Sequence, residues 1–261
     1  MEKDVVEKVE KTIPAYVPEG PLGELFSVGA HFAYAKSRRH PSARPFIFGA
    51  KNRTEIFDLE KTLIALETAK TFMRKLGKER AMVLLIGGKE EAKQAIREGA
   101  SSISMPFVAG RWIGGTFTNF SQIRKRVMTL EDLTAKRERG ELAKYTKKER
   151  LLIDRDIARL TMNFSGLIPM KQLPKAIFVI DSKKEDIPVT EAIQMNIPIL
   201  ALSNSDCDLH KVTLAIPAND ASAASIAYFV RELVKAYEEG TKEAPVVTTA
   251  APVATPVVEV K

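Results

Sequence analysis

Continuous apolar runs that alternate with amphipathic stretches constrain the fold of this chain more than any other feature. Residues 81–86 contain no polar side chain, which is typical of a strand buried on both faces of a parallel sheet. The other predicted strands lie at residues 54–58, 103–108, 176–180, 197–202 and 212–216. Apolar residues recur every three or four positions in most of the intervening segments, as in helices that cover such a sheet. We therefore predict a doubly wound parallel α/β fold.

Two further helical stretches interrupt this alternation between residues 118 and 166. The first is expected to end at Gly140, and the second begins at Thr146, which has the spacing of a capping box with Glu149. Because only a short loop joins them, we predict an antiparallel helical hairpin with coiled-coil packing, inserted into the α/β domain. The α/β domain itself is then predicted at residues 22–117 and 167–240.

The two ends of the chain differ from this central part. Residues 1–21 first mix charged residues with valines and then contain prolines at positions 14, 18 and 21. This composition predicts a flexible N-terminal arm. Residues 241–261 consist mainly of Ala, Pro, Val and Thr and contain no aromatic residue. Such a segment cannot bury enough apolar surface to offset the entropy of ordering, so we predict a disordered tail.

Charge and cysteine content narrow the class of protein. The chain has 40 Lys and Arg against 33 Asp and Glu, a net charge of +7 that permits a polyanionic partner. Its one cysteine, Cys207, excludes an internal disulfide framework and suits a reducing compartment. The N-terminal segment lacks the apolar core of a secretory signal, and no segment has the uninterrupted apolar length of a membrane span. We expect a cytoplasmic protein with no membrane partner.

Basic residues concentrate in two places. In residues 36–53 they are interleaved with aromatic residues, and we expect the cations to contact RNA phosphates. They are Lys36, Arg38, Arg39, Arg44, Lys51 and Arg53. Phe46 and Phe48, in the same segment, are interpreted as an ordinary edge strand.

The second basic region is the predicted hairpin, where twelve bases accompany seven acids. A solvated hairpin laced with salt bridges and an arm that docks on phosphates both agree with this composition. The candidate RNA contacts there are Arg124, Lys125, Lys147 and Lys148.

Residues 109–120 join the strand at 103–108 to the first hairpin helix. They hold the only tryptophan, Trp112, followed by two glycines and several small hydrogen-bonding residues. We predict a tight strand-to-helix turn in which Trp112 packs the hairpin onto the sheet. Arg111 and Asn119 are the candidates for polar contacts with RNA near the hairpin base.

The sequence offers little for catalysis. Gly87-Gly88-Lys89 follows a buried strand and opens a helix, where open α/β sheets bind phosphates, but the glycine fingerprints of nucleotide sites are missing. The cluster Asp206, Cys207, Asp208 and His210 has no second ligand pair, and we expect no metal, no cofactor and no enzymatic activity. Two alternatives stay open: an enzyme that binds a nucleotide or sugar phosphate, and a protein-interaction module that does not bind RNA.

Eight motifs resemble, in order and spacing, the bacterial S2 family of small-subunit ribosomal proteins. They lie at residues 29–32, 45–52, 56–62, 111–120, 142–149, 173–181, 196–199 and 216–221, and the resemblance covers residues 22–238. It implies a flavodoxin-like domain with a helical hairpin and no catalytic activity. It also implies a structural protein that binds small-subunit rRNA at the head–body junction, beside neighbouring small-subunit proteins, and that helps to anchor ribosomal protein S1.

The chain departs from the family pattern at several positions. Ala33-Tyr34 stand where the family usually has Gly-His, and Arg39-His40-Pro41 where it commonly has Trp-Asn-Pro. In the loop after the strand at 197–202, Leu202-Ser203-Asn204 replace Asp-Thr-Asn, and residues 204–216 are about two residues longer than usual. The exchange of an aromatic residue and an amide for cations favours phosphate contact over base stacking at residues 39–40.

Overall fold

The computed structural model describes residues 20–243. Residues 1–19 of the predicted arm and residues 244–261 of the predicted tail lie outside the described residues. Among residues 20–243, no helix combines the length and the apolar character needed to cross a bilayer.

The N-terminal part of the described chain forms a small antiparallel sheet. Helix α1 (Pro21–Ser27) precedes the sheet. The strands are β1 (Phe32–Ala35), β2 (Ile47–Lys51) and β3 (Thr54–Phe57), and their order in the sheet is β1-β3-β2. The strand predicted at residues 54–58 therefore does not belong to the parallel sheet. Asn52 and Arg53 have φ angles of 51° and 68°, which makes a two-residue turn that pairs β2 with β3 as a hairpin. Because β3 pairs with its sequence neighbour β2, the prediction that residues 54–58 join the parallel sheet is wrong.

The central sheet contains five parallel strands. They are β4 (Val83–Ile86), β5 (Phe107–Val108), β6 (Ala176–Ile180), β7 (Ile199–Ser203) and β8 (Leu214–Pro217). Their order, β5-β4-β6-β7-β8, is that of flavodoxin-like doubly wound sheets, so the predicted α/β class is confirmed. β5 is shorter than predicted because Ser104 and Met105 close the preceding helix with backbone bonds to Ser101 and Ala100.

Helices cover both faces of this sheet. In chain order they are α2 (Leu59–Lys78), α3 (Glu90–Ser102), α4 (Phe120–Glu138), α5 (Lys147–Phe164), α6 (Asp186–Gln194) and α7 (Ala223–Glu243). Alternate residues of β4 point to opposite faces, with Val83 and Leu85 in the cluster formed with α2, α3 and α7. Leu84 and Ile86 belong to the cluster that also contains buried side chains of α4, α5 and α6. Two apolar cores therefore sandwich the sheet.

Two glycines bring α2 and α7 into backbone contact. A Cβ added to Gly77 would lie 2.2 Å from the Tyr237 carbonyl oxygen, and one added to Gly240 would lie 2.0 Å from that of Arg74. Only glycine permits this approach. Each helix continues past its glycine, so α2 ends at Lys78, one residue beyond Gly77, and the predicted boundary at residue 240 lies within α7.

α4 and α5 are consecutive helices that contact each other. Buried Ile123 and Val127 of α4 and Ile157 of α5 belong to the same apolar cluster as the sheet. α5 begins with the predicted capping box: the Thr146 side chain accepts a bond from the Glu149 amide, and the Glu149 carboxylate accepts one from the Thr146 amide at 2.9 Å.

Candidate nucleic-acid interface

Residues 36–53 fold as two short 3-10 turns, Lys36–Arg38 and Pro41–Phe46, followed by β2. These turns pack little of their own surface, so most of the predicted cations remain exposed. The exposed ones are Lys36, Arg38, Arg44, Lys51 and Arg53. Within residues 20–243 none of these five forms an ion pair. The Arg38 guanidinium lies 4.8 Å from the centre of the Tyr34 ring. Five positive charges are thus presented together without a paired acid among the described residues.

Arg39 has a different role from its neighbours. Its Nη1 donates a hydrogen bond of 2.7 Å to Oε1 of Glu55, a buried residue of β3. A buried carboxylate is costly unless it is paired, and Arg39 is the cation that pairs it. The structure therefore gives Arg39 an internal contact where the sequence predicted a phosphate contact.

The aromatic residues of this region also differ in burial. Phe46 is half-buried against Ala43, Cys207 and Leu209. Phe48 lies in β2, an edge strand as predicted, but 82% of its surface is exposed. Phe32 in β1 is 50% exposed. These two rings are therefore not part of the apolar core and are accessible to a partner.

The loop between β5 and α4, residues 109–119, is organised by a carboxylate that the sequence did not single out. Glu191 of α6 is buried, and its Oε1 accepts bonds from Trp112 Nε1 at 3.1 Å and from the Gly115 amide at 2.8 Å. Its Oε2 accepts bonds from the amides of Phe117 at 2.9 Å and Thr118 at 3.3 Å. Four N–H donors replace the water that this charge loses on burial.

This network fixes the shape of the loop. Gly115 has a φ of 88°, a conformation that side chains other than glycine rarely adopt. Trp112 is buried, and its ring meets that of Phe117 edge-on with centroids 5.0 Å apart. It belongs to the cluster that joins α4 and α5 to the sheet, so the predicted packing role of Trp112 is confirmed.

Arg111 and Asn119 lie at opposite ends of this loop with exposed side chains. Asn119 is at the N-cap position of α4, but its side chain makes no capping bond. Arg111 forms no ion pair in the part of the chain that the structure describes. Both side chains are therefore free to contact a partner.

The cations predicted on α4 and α5 are partly used within the protein. Arg124 lies 3.6 Å from Glu131 and donates to the Ile168 carbonyl oxygen at 3.4 Å. Lys125, Lys147 and Lys148 are exposed and have no ion pair among the described residues. Three other basic residues of this region are paired: Lys136 with Asp132, Arg139 with Glu141, and Arg159 with Asp156.

The carboxyl edge of the central sheet, where open α/β folds bind phosphates, is filled by the protein itself. Lys89 is buried there, with Nζ 2.7 Å from Asp181 and 2.8 Å from Asp220. Burial alone would lower the pKa of Lys89, but the two carboxylates hold it above its usual range. The Gly88 amide donates to Oε1 of Glu185 at 3.0 Å. Three acids, Asp181, Asp220 and Glu185, thus lie near the single cation Lys89, and Glu185 accepts the hydrogen bond of the Gly88 amide. The edge therefore does not suit a nucleotide phosphate.

The predicted group of Asp206, Cys207, Asp208 and His210 is not the group that the fold assembles. Among residues 20–243, Cys207 instead lies with Asp181 and Asp220, with potential ligand atoms within 4.8 Å of one another. The Lys89 ammonium already lies against both carboxylates. Burial raises the pKa of the Cys207 thiol to about 12, so it remains protonated at neutral pH.

Residues 25–240 match the protein family described as Ribosomal protein S2. The chain belongs to that family. It is 38% identical over 221 residues to Small ribosomal subunit protein uS2 of Chloroflexus aurantiacus, covering 85% of this chain and 93% of the relative. It is also 38% identical over 217 residues to the protein of the same name from Mesoplasma florum, covering 83% and 82% of the two chains.

Membership of the S2 family confirms the resemblance seen in the sequence motifs. This family is a structural component of the small ribosomal subunit, so the chain is a ribosomal protein that functions in translation and is not an enzyme. The alternative of an enzyme on the same sheet is thereby excluded.

Proposed function

We propose that this S2-family protein binds small-subunit rRNA at the head–body junction through the exposed cations of residues 36–53. The five uncompensated charges of Lys36, Arg38, Arg44, Lys51 and Arg53 are the observation that carries this proposal. Cations that neutralise phosphates release condensed counterions, so the affinity for rRNA falls with salt. Five phosphate contacts correspond to a slope of log affinity against log salt of about −4.

Helices α4 and α5 provide the second part of this interface. They form an antiparallel helical hairpin, residues 118–166, inserted between the two parts of the α/β domain at residues 22–117 and 167–240. The apolar cluster shared by α4 and α5, the capping box at Thr146 and the short connection between the helices support this arrangement. Lys125, Lys147 and Lys148 contact phosphates along the hairpin, and Arg111 and Asn119 contact rRNA at its base.

The same protein lies beside other small-subunit proteins and helps to anchor ribosomal protein S1. The exposed rings of Phe32 and Phe48 on the small sheet support a protein contact at this place. Replacing Phe48 by Ala should lower the amount of S1 on purified subunits and leave the binding of this protein to naked rRNA unchanged. If rRNA binding falls instead, the Phe48 ring stacks on a base.

Co-sedimentation of the protein with small ribosomal subunits tests the central proposal. The wild-type protein should sediment with the subunit at low salt, and Arg38→Glu/Arg44→Glu should be lost at a lower salt concentration. A matched control is Lys75→Glu/Lys235→Glu, which reverses two exposed cations on α2 and α7 that form no ion pair within residues 20–243. Wild-type protein that is folded yet stays free of subunits at low salt would refute rRNA binding.

A further inference from the structure

Two concave surfaces meet at Gly110, beside the carboxyl edge of the central sheet. One is lined by Lys93 of α3, Arg111 and Lys184, and the other by Arg97 of α3, Arg111 and Met162 of α5. Arg111 and Gly110 belong to both surfaces. Together they form one groove, called here the Gly110 groove, with cations along its length.

The charges of the Gly110 groove are largely uncompensated. Arg97, Arg111 and Lys184 are exposed and have no ion pair within residues 20–243. Lys93 pairs with Glu90, and the pKa of Glu90 is lowered first by Lys93 and further by Arg97 and Lys184. All three cations therefore favour the ionised form of this exposed carboxylate.

Glu185 is the acid that lines the groove. It is buried, and its Oε1 accepts a bond from the Gly88 amide at 3.0 Å. The lining thus has four cations and one acid, and the net charge is still +2 when Glu90, the partner of Lys93, is counted with it.

The backbone of the groove is both open and rigid. A Cβ added to Gly110 or Gly114 would have no atom within 4 Å, so a ligand can approach the main chain there. The same loop is held by the four bonds to Glu191 described above, including the one to Trp112 next to Arg111. Binding in a rigid groove loses little conformational entropy.

We propose that the Gly110 groove is a second rRNA-binding surface, in which Arg97, Arg111 and Lys184 contact phosphates of one strand. This inference rests on the proposed rRNA binding and adds Arg97 and Lys184, which no sequence motif singled out. The ligand is the phosphodiester backbone rather than a nucleotide, since the groove is open and the adjacent Gly88 amide is already bonded. None of the cations that line the groove belongs to residues 36–53, so the two surfaces use different charges.

Filter binding of the full chain to small-subunit rRNA over a series of salt concentrations tests this. Arg97→Ala/Lys184→Ala should weaken binding at least tenfold at low salt and reduce the magnitude of the salt slope by about 2, one for each lost phosphate contact. The control Lys75→Ala/Lys235→Ala should leave both quantities unchanged, and all variants should keep the wild-type melting temperature.

The outcomes separate this inference from the proposed function. If Arg38→Ala/Arg44→Ala lowers the slope and Arg97→Ala/Lys184→Ala does not, the Gly110 groove does not bind rRNA and the proposed function stands. If the wild-type protein binds without salt dependence, the proposed function itself fails. If Arg97→Ala/Lys184→Ala weakens only binding to whole subunits and not to naked rRNA, the groove contacts an acidic protein and the inference is overturned.

Discussion

The carboxyl edge of the central sheet and the basic segment at residues 36–53 use the same kind of side chain in opposite ways. At the edge, Lys89 is buried between Asp181 and Asp220, and its charge is used up within the fold. In the basic segment, cations such as Arg38 and Arg44 are exposed and unpaired within residues 20–243. Burial decides the difference, because a charge removed from water needs a partner inside the protein. A hydrated charge needs no such partner and is available to an external anion.

The largest effect is expected at Lys89. Replacing Lys89 by Met leaves two buried carboxylates facing each other, and the free energy of unfolding should fall by about 3–5 kcal/mol. Urea denaturation measures this loss. The triple variant that also carries Asp181→Asn and Asp220→Asn should recover part of it, because the uncompensated charges are then gone. A loss below about 1 kcal/mol, typical of exposed pairs, would contradict the structural role of Lys89.

The pH dependence of the Lys89 contribution follows from the direction of the pKa shifts. The raised pKa of Lys89 means that its contribution is complete below its unfolded pKa near 10.5 and is lost as the pH rises through the higher folded value. Asp181 has a lowered pKa, since Lys89 outweighs the effect of its burial, so its contribution is lost as the pH falls below about 3.8. Asp220 has a raised pKa, because its burial outweighs the effect of Lys89. Without Lys89, the two buried carboxylates should take up protons at a higher pH than they do in the wild type. The stability difference between wild type and Lys89→Met should therefore shrink as the pH falls into the acid range and shrink again as the pH rises above about 10.5.

A smaller loss is expected at Glu191. Replacing Glu191 by Ala removes the acceptor of four N–H donors, of which those of Trp112 and Phe117 are buried, and should destabilise the protein by about 3 kcal/mol. The fluorescence of Trp112, the only tryptophan, should change as well, because its Nε1 loses its bond. The control Asp186→Asn, on the exposed part of α6, should leave the emission unchanged. An unaltered spectrum in Glu191→Ala would mean that Glu191 does not hold the loop.

The neighbours Arg38 and Arg39 sharpen the comparison most directly. Arg39→Ala should lower the free energy of unfolding by about 2 kcal/mol, because buried Glu55 loses its counter-ion. Arg38→Ala should change stability by less than about 0.5 kcal/mol, as exposed substitutions do, and should weaken rRNA binding. Thermal unfolding measures the stability of each variant, and filter binding measures its affinity for rRNA. Equal stability losses in both variants would remove the distinction between an internal and an external cation.

The smallest effect on stability is expected on α4 and α5. Lys125→Ala and Lys147→Ala should each leave the melting temperature within about 2 °C of wild type, since these exposed side chains have no ion pair among residues 20–243. Each should reduce the magnitude of the salt slope by about 1 if it contacts a phosphate. Lys136→Ala, which removes a cation already paired with Asp132, is the matched control and should leave the slope unchanged.

Several features of the fold could be predicted because they depend on local pattern. The continuous apolar run at residues 81–86 predicts a strand buried on both faces, and β4 lies there. The capping box of α5 follows from bonds between residues three positions apart. The strand at residues 54–58 was assigned to the wrong sheet, because alternation with helices says nothing about which neighbour a strand pairs with.

The sequence by itself determined the α/β class, most helix and strand positions and the family, because these rest on periodicity, caps and ordered motifs within the chain. Only the tertiary structure decided what each charged side chain does. Glu191, Glu55 and Lys89 are separated by 76, 16 and 92 residues from the partners Gly115, Arg39 and Asp181. Nothing in the local sequence distinguishes Arg39 from Arg38, because burial and pairing are set by how distant segments pack against each other.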